Sequence, residues 1–339
     1  MRTMLLSNYY RIFKIAAISI IGTSLISCGS SEKSTTEIVK KSLPANYTAV
    51  CSVGMVSDIA SKVIGNKGQV IGLMGEGVDP HLYKPTRDDV IKLTEADIVF
   101  YVGLMLEGRM SDTFLKIARA GTPVYPVTEI IDETYLAEPE GFEGHWDPHV
   151  WMDISAWSQC VTAIEKALSE QDPDHAQYYR SNAQAYLEEL AQLEVYVKQV
   201  IASIPEEQRY LVTAHDAFGY FASAYGIKVQ AAQGINTQSE AGVADINALV
   251  DFMVTNKIPA LFVETTVADK NLRAVIEGAK AKSHEIIVGG ELFSDAMGTP
   301  GTYEGTYIGM IDHNATVIAH ALGGQAPEKG LNGKLSFQH

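Results

Sequence analysis

The sequence predicts an α/β protein of two lobes, each built on a parallel sheet, joined by one long rigid α-helix. Short apolar segments alternate with helical segments in residues 47–127, and the same alternation returns in residues 209–322. Such alternation is typical of parallel sheets that helices cover on both faces. A continuous helical pattern separates the two sets. These three observations together predict the fold class.

The N-terminal lobe is expected at residues 47–171. Its predicted strands are YTAVCSV (47–53), GQVIGLM (68–74), DIVFYVG (97–103) and TPVYPV (122–127). Its predicted helices are VSDIASKVIG (56–65), PTRDDVIKLTEA (85–96) and SDTFLKIARA (111–120). Pro85 suits the start of its helix because the N–H that proline lacks would have no intrahelical partner there.

The connecting helix is expected at residues 172–205. Asp172 is a favourable N-cap residue, Pro173 suits the first helical position, and Pro205 ends the pattern. The apolar residues at helical spacing are Tyr179, Ala183, Tyr186, Leu190, Leu193, Val197 and Val200. About 30 residues at ~1.5 Å each give roughly 45 Å, long enough to run the length of a lobe. Such a helix, unlike a loop hinge, predicts small movements between the lobes.

The C-terminal lobe is expected at residues 206–322, followed by a tail at 323–339. Its predicted strands are RYLVTA (209–214), IKVQ (227–230), ALFVE (260–264) and EIIVGG (285–290). Its predicted helices are residues 215–226, 243–257, 271–281 and 304–322.

The N-terminus has the pattern of an export signal. Basic residues precede the run IAAISIIGTSLIS, which is too short and too one-sided for a membrane span. The run ends in LISC (25–28), which resembles a bacterial lipobox. We therefore expect a lipoprotein signal peptide at 1–27, a lipidated Cys28 that anchors the protein to a membrane, and a flexible tether at 28–46. The alternative is an ordinary signal peptide beside an incidental cysteine.

Composition excludes some classes of protein. The 339 residues carry a net charge of −15, which disfavours nucleic acid as a partner and mildly concentrates cations near the surface. Cys51 lies in an apolar, strand-like run and Cys160 in a helix-like run, and we expect two buried free thiols there, although export would permit a disulfide.

Enzyme signatures are absent from the sequence, which favours a protein that is not an enzyme. There is no nucleophile elbow, no Walker loop, no Cys-x-x-Cys and no dinucleotide-binding glycine motif. HEIIV (284–288) begins like a zinc-protease helix but has Val288 in place of the second histidine. We therefore expect His284 at the surface beside a strand.

Asp-Pro-His occurs twice, in VDPHLYKPT (78–86) and in WDPHVWMD (146–153). Four metal-ligating side chains follow predicted strands, namely His81, His149, His215 and Asp295. Ligands bind at this end of parallel strands, so the pattern favours a metal ion held between the lobes. Proline stiffens the approach to His81 and His149, and the preceding aspartates are candidate acceptors that orient the rings.

The residues alone leave a second interpretation open. A lone loop histidine is usually just solvated, and Asp-Pro-His is also a turn signature. His145 is a weaker candidate ligand because it lies close to His149. The histidines that lack strand-end placement are His145, His175, His313, His320 and His339. His313 and His320 are expected to share a helix face.

Five motifs in order resemble the zinc/manganese class of ABC-transporter solute-binding lipoproteins. They are VDPHLYKPTRDDV, HWDPHVWMD, LVTAHDAFGYFASAYGI, VETTV and GGELFSDAMG, and the resemblance spans roughly residues 47–322. It implies a metal ion in the inter-lobe cleft, bound by His81, His149, His215 and Asp295 with no open coordination position. It also implies high-affinity binding outside the cytoplasm, in the periplasm or at the cell surface. Delivery would be to a membrane permease with a cytoplasmic ATPase, and we expect a monomer.

The donor set bears on which metal is carried. His215 stands where manganese-type members often have Glu, and three imidazoles with one carboxylate suit Zn²⁺. A bidentate Asp295 would allow five-coordination and hence Mn²⁺. The long His/acid-rich loop of many zinc-type relatives is missing, since residues 132–148 contain a single histidine, His145. We expect Zn²⁺ or Mn²⁺ as transported ligand, with a slight preference for Zn²⁺.

Three alternative functions are each compatible with part of the sequence. A zinc hydrolase would need three protein ligands, a water and a general base, for which Glu264 is the candidate, although Glu264 more simply serves as a partner for nearby backbone. A surface adhesin would use the anchored acidic surface, but no motif specifies its partner. A chelated metal, cobalamin or haem would need a wide cleft, and four direct donors argue against it.

Overall fold

The computed structural model describes residues 42–139, 142 and 144–336. The predicted signal peptide, Cys28 and most of the predicted tether lie outside the described residues, as does His339. None of the helices in these ranges is both long and apolar enough to cross a membrane.

The first lobe contains a four-stranded parallel sheet. Its strands are β1 (Tyr47–Cys51), β2 (Gly68–Gly72), β3 (Ile98–Tyr101) and β4 (Val124–Pro126), in the order β2-β1-β3-β4. Its helices are α1 (Gly54–Ile64), α2 (Arg87–Glu95), α3 (Ser111–Arg119) and α4 (Ile154–Gln171). Thr86 caps α2, because its hydroxyl accepts the Asp89 N–H while the Asp89 carboxylate accepts the Thr86 N–H. All four strands end at the same edge, which is where the His81 and His149 loops begin.

Helix α4 is absent from the sequence prediction, apart from the helix-like run around Cys160. It begins at an effective cap, since the Asp153 carboxylate accepts the N–H groups of Ser155 and Ala156. Cys160 in this helix and Cys51 in β1 are both buried and free, as predicted.

The long helix α5 (Ala176–Ala202) follows, and it packs against α1, α4 and the last helix, α9 (Tyr307–Ala321). Every residue of the predicted apolar stripe is buried. The start differs from the prediction, because Pro173–His175 form a separate 3-10 turn. The Asp172 carboxylate caps no backbone group and instead accepts from Tyr179 Oη at 2.5 Å and from His175 Nδ1 at 2.8 Å. That α5 limits movement between the lobes stays a prediction, as do the lobe boundaries.

The second lobe contains two parallel strand pairs. The strands are β5 (Tyr210–His215), β6 (Lys228–Gln233), β7 (Ala260–Glu264) and β8 (Ile287–Leu292). They pair as β5-β6 and β7-β8, and β5 lies beside β7. The helices are α6 (Gly219–Tyr225), α7 (Val243–Thr255), α8 (Lys270–Ala281) and α9 (Tyr307–Ala321). The described part of the predicted tail is packed, since Leu335 is buried and the Asp312 carboxylate accepts the Leu331 N–H.

Candidate metal centre

His81 lies in the loop between β2 and α2, held by an aspartate turn. Asp79 Oδ1 accepts the backbone N–H of His81 at 2.8 Å and that of Leu82 at 3.3 Å. Asp79 Oδ2 accepts the hydroxyl of Thr237, which lies in the loop between β6 and α7. The sequence predicts that Asp79 accepts a hydrogen bond from the His81 ring. The Asp79 carboxylate instead accepts from the backbone of His81 and so orients that backbone.

His149 lies at the start of a 3-10 turn before α4 and repeats the same local device. Asp147 Oδ1 accepts the His149 backbone N–H at 2.9 Å, as Asp79 does for His81. The same oxygen also lies 2.7 Å from His149 Nδ1. A proton on Nδ1 leaves the Nε2 lone pair free to face the centre. In both Asp-Pro-His copies, therefore, the aspartate accepts the backbone N–H of the histidine and so fixes the position from which the imidazole extends.

His215 is the last residue of β5, and the neighbouring strand β7 ends at Glu264. Glu264 Oε1 accepts the backbone N–H groups of Ala214 and His215 at 2.7 and 2.9 Å. Glu264 Oε2 lies 2.5 Å from His215 Nδ1. One buried carboxylate thus fixes both the strand end and the ring of His215, again with Nε2 turned inward.

The four predicted side chains meet at one point. His81, His149, His215 and Asp295 are all buried, and one ligand atom from each lies within 4.8 Å of every other. The rings of His81 and His215, which come from different lobes, have centroids only 6.1 Å apart. The loop after β8 brings Asp295 between the imidazoles.

The donor separations match those of a coordination shell. His81 Nε2 lies 3.2 Å from His149 Nε2, and Asp295 Oδ1 lies 3.3 Å from His149 Nε2. Asp295 Oδ2 lies 3.2 Å from His215 Nε2 and 3.6 Å from His81 Nε2. Bonds of ~2.0–2.1 Å in a tetrahedron place the donors about 3.3–3.4 Å apart. Three of these separations come within about 0.2 Å of that spacing, and one ligand atom from each of the four residues lies within 4.8 Å of every other, so the cluster is close to the size that a zinc ion requires.

The inward-facing atoms also lack other partners. His215 Nε2 and both oxygens of Asp295 are buried and have no hydrogen bond within the described part of the chain. Buried polar atoms normally have hydrogen-bond partners, so three unpartnered atoms that face one point indicate a ligand there. A divalent cation satisfies all three.

In the metal-free cluster, the neighbouring histidines favour the ionised form of the Asp295 carboxylate. Burial opposes ionisation of Asp295, but His215 and His149 outweigh it and hold its pKa well below the usual range. Burial also opposes the charge on His149, but Asp147 and Asp295 raise its pKa to about 9. The pKa of His215 is raised in the same way, chiefly by Glu264 and Asp295. For His81 burial dominates and lowers the pKa to about 3.

Other histidines lie outside this cluster. His145 contacts the ring of Phe142, with centroids 5.4 Å apart, and does not join the four donors. His284 lies half-buried before β8, with Nε2 2.8 Å from the Ile258 carbonyl oxygen. His313 and His320 line the same surface cavity, as their spacing on one helix face predicted.

The geometry disfavours the hydrolase alternative. Glu264 lies behind His215, on the Nδ1 side, and is occupied by three hydrogen bonds. Asp295 stays inside the cluster rather than turning away. A general base beside a metal-bound water is thus not available from Glu264. Glu264 is the last residue of β7, as His215 is the last residue of β5. These two strand ends are the sequence feature that indicates a contact between Glu264 and His215.

Comparison with known proteins gives a consistent pattern. The family described as zinc-uptake complex component A, periplasmic (ZnuA) matches residues 49–321. The manganese-binding lipoprotein MntA of Bacillus subtilis (strain 168) is 42% identical over 308 residues, covering 91% of this chain and 98% of the relative. The zinc-binding protein TroA of Treponema pallidum (strain Nichols) is 42% identical over 273 residues, covering 80% and 88%. The solved structure of periplasmic TroA from that organism superposes with a TM-score of 0.79, covering 82% of this chain and 99% of TroA.

Proposed function

Because the chain belongs to the ZnuA family of periplasmic zinc-uptake components, we propose that it binds one divalent transition-metal ion outside the cytoplasm and passes it on for import. His81, His149, His215 and Asp295 are the proposed ligands. The receiver is a membrane permease driven by a cytoplasmic ATPase. Lipidated Cys28 is proposed to keep the chain, a monomer, at the membrane.

One observation carries the proposal. Four buried donor groups from two lobes point at a single spot, and three of their atoms have no other partner within the described residues. Four protein donors fill a tetrahedral shell, which suits binding and release of cargo rather than activation of water. The ion is therefore a transported substrate and not a catalytic cofactor.

The donor set favours Zn²⁺ while leaving room for Mn²⁺. Three imidazoles and one carboxylate are borderline donors that suit zinc, and affinity order also favours zinc over manganese. Asp295 places one oxygen toward His149 and the other toward His215. Bidentate binding by that carboxylate would give five-coordination, which accommodates Mn²⁺. Of the two relatives compared above, MntA is named for manganese and TroA for zinc.

Competition titration against a chromophoric chelator tests the proposed function. The full chain is expected to take up one equivalent of Zn²⁺, and more weakly one of Mn²⁺. Its melting temperature is expected to rise with metal concentration, because an ion that binds only the folded state stabilises it. Uptake of neither ion, with no thermal shift, would contradict the proposal.

Zinc affinity is expected to rise with pH through neutrality and up to about pH 9. Metal binds neutral imidazole, so protons on His149 and His215 compete with it. The raised pKa of His149, about 9, means that this competition persists at pH 7.5. Lower pH favours the protonated competitor, and affinity falls. Calorimetry in buffers of different ionisation enthalpy should record proton release at pH 7.5, and an affinity that is constant from pH 6 to 9 would contradict the expectation.

Glu264→Gln is expected to weaken zinc binding by about 10–100-fold, the usual range for a lost outer-shell partner. Glutamine has one acceptor oxygen and an NH₂ group that can only donate. If its oxygen accepts the two backbone N–H groups, no acceptor is left for the proton on His215 Nδ1. Chelator competition gives the affinity. Glu240→Gln is the matched control, because the Glu240 side chain is exposed and its carboxylate lies 3.8 Å from Lys270 Nζ, away from the metal centre. Equal affinities for the two variants would show that Glu264 does not support the ligand.

A further inference from the structure

Trp151 connects the loops that carry two of the proposed ligands. It lies two residues after His149, on the first-lobe side. Its indole Nε1 donates to the carbonyl oxygen of Ser294 at 2.9 Å, and Ser294 directly precedes Asp295 on the second-lobe side. Both Trp151 and Ser294 have 0% exposure, so water does not compete for this bond.

Two further contacts fix Trp151 in place. Tyr307, at the start of α9, donates its hydroxyl to the Trp151 carbonyl oxygen at 2.7 Å. The indole also meets the His149 ring edge-to-face, with centroids 5.3 Å apart. Second-lobe groups therefore hold both the side chain and the backbone of Trp151, while its ring supports a ligand.

We propose that Trp151 is a positioning residue that sets the Asp295 carboxylate against His149 through its bond to the Ser294 carbonyl and thereby slows metal release. This inference rests on the proposed function. The bond crosses between the lobes one residue from the carboxylate, so its loss frees the Asp295 loop to move away from His149. Buried hydrogen bonds of this kind resist such movement because the separated groups would be unsatisfied.

Trp151→Phe is expected to weaken zinc binding by about 10–100-fold, with most of the change in the release rate. Phenylalanine keeps an aromatic ring beside His149 and removes the N–H donor. The matched control is Trp157→Phe. Trp157 also has 0% exposure, but its Nε1 has no hydrogen-bond partner in the described structure. Both variants remove the same atoms from the core, and the Trp157 ring lies edge-to-face against Trp151 with centroids 6.4 Å apart. Trp157→Phe therefore disturbs the packing around Trp151 while leaving the bond to Ser294 in place.

The measurements are chelator-driven Zn²⁺ release by stopped flow and the visible absorption of the Co²⁺-loaded protein. The absorption intensity reports coordination number, which a merely structural role would not change. Tyr307→Phe provides a second variant that touches no ligand, with a smaller change expected in the same direction. Faster release and an altered cobalt spectrum in Trp151→Phe, but not in Trp157→Phe, support the inference.

Wild-type release and spectrum in Trp151→Phe would overturn the inference, as would equal effects of Trp151→Phe and Trp157→Phe. Should Trp151→Phe fail to fold, wild-type release by Tyr307→Phe would overturn it. In each of these outcomes the unsubstituted chain still binds zinc, so the proposed function survives. If the unsubstituted chain binds no metal, the proposed function fails and this inference fails with it.

Discussion

Asp295→Ala is expected to weaken Zn²⁺ binding by more than about 100-fold, since loss of even an outer-shell partner costs about 10–100-fold. Asp295 is the only anionic member of the four-donor cluster and lies 3.2–3.3 Å from two imidazoles. Its removal leaves three neutral donors and an open coordination position. The charge that attracts a divalent ion to the buried centre is lost as well.

Chelator competition measures this loss, and a melting curve with and without zinc supplements it. The variant is expected to show little thermal shift with metal at concentrations that stabilise the unsubstituted chain. Asp112→Ala is the control, because Asp112 is exposed in the first turn of α3. A loss of less than tenfold in Asp295→Ala would mean that Asp295 is not a direct ligand.

His215→Glu is expected to lower the ratio of zinc to manganese affinity by at least about tenfold, because carboxylate oxygen suits Mn²⁺ better than imidazole does. The change would give two carboxylates and two imidazoles, with a harder donor set. Glu264 complicates it, because its carboxylate lies 2.5 Å from His215 Nδ1 and would face the new negative charge.

The double variant His215→Glu/Glu264→Gln removes that repulsion. It is expected to recover manganese affinity relative to His215→Glu alone, while the preference for zinc stays reduced. His313→Glu is the control, because His313 lies outside the cluster with Nε2 3.0 Å from the Glu291 carbonyl oxygen. An unchanged zinc-to-manganese ratio would show that loop geometry, not donor type, decides selectivity.

Much of the centre could be predicted from strand ends. The carboxyl ends of parallel strands meet at one edge, so side chains that follow the strands become neighbours. This reasoning placed His81 and His149 on one lobe and His215 and Asp295 on the other. It could not show that the two edges face each other, because the lobe arrangement depends on the packing of α5 against α1, α4 and α9. The family resemblance supplied that step.

The contacts that support the ligands were harder to predict from the sequence than the ligands themselves. The position of Asp147 in Asp-Pro-His predicts it as a ring acceptor, whereas Asp79, in the identical motif, accepts from backbone N–H groups and from the Thr237 hydroxyl. Which of these occurs depends on ring orientation, and the local sequence does not encode it. The bond from Trp151 to Ser294 joins residues 143 positions apart. Helix α4 does carry a start signal in the sequence, because Asp153 directly follows the His149 turn and its carboxylate caps the N–H groups of Ser155 and Ala156.

The central claim is that His81, His149, His215 and Asp295 together bind one ion. Anomalous diffraction from crystals of the zinc-loaded protein, recorded on both sides of the zinc absorption edge, tests it most directly. We expect one strong peak at about 2.0–2.5 Å from the three Nε2 atoms and from the carboxylate of Asp295. A peak elsewhere, or one bound by three of these residues with water in place of the fourth, would contradict the claim.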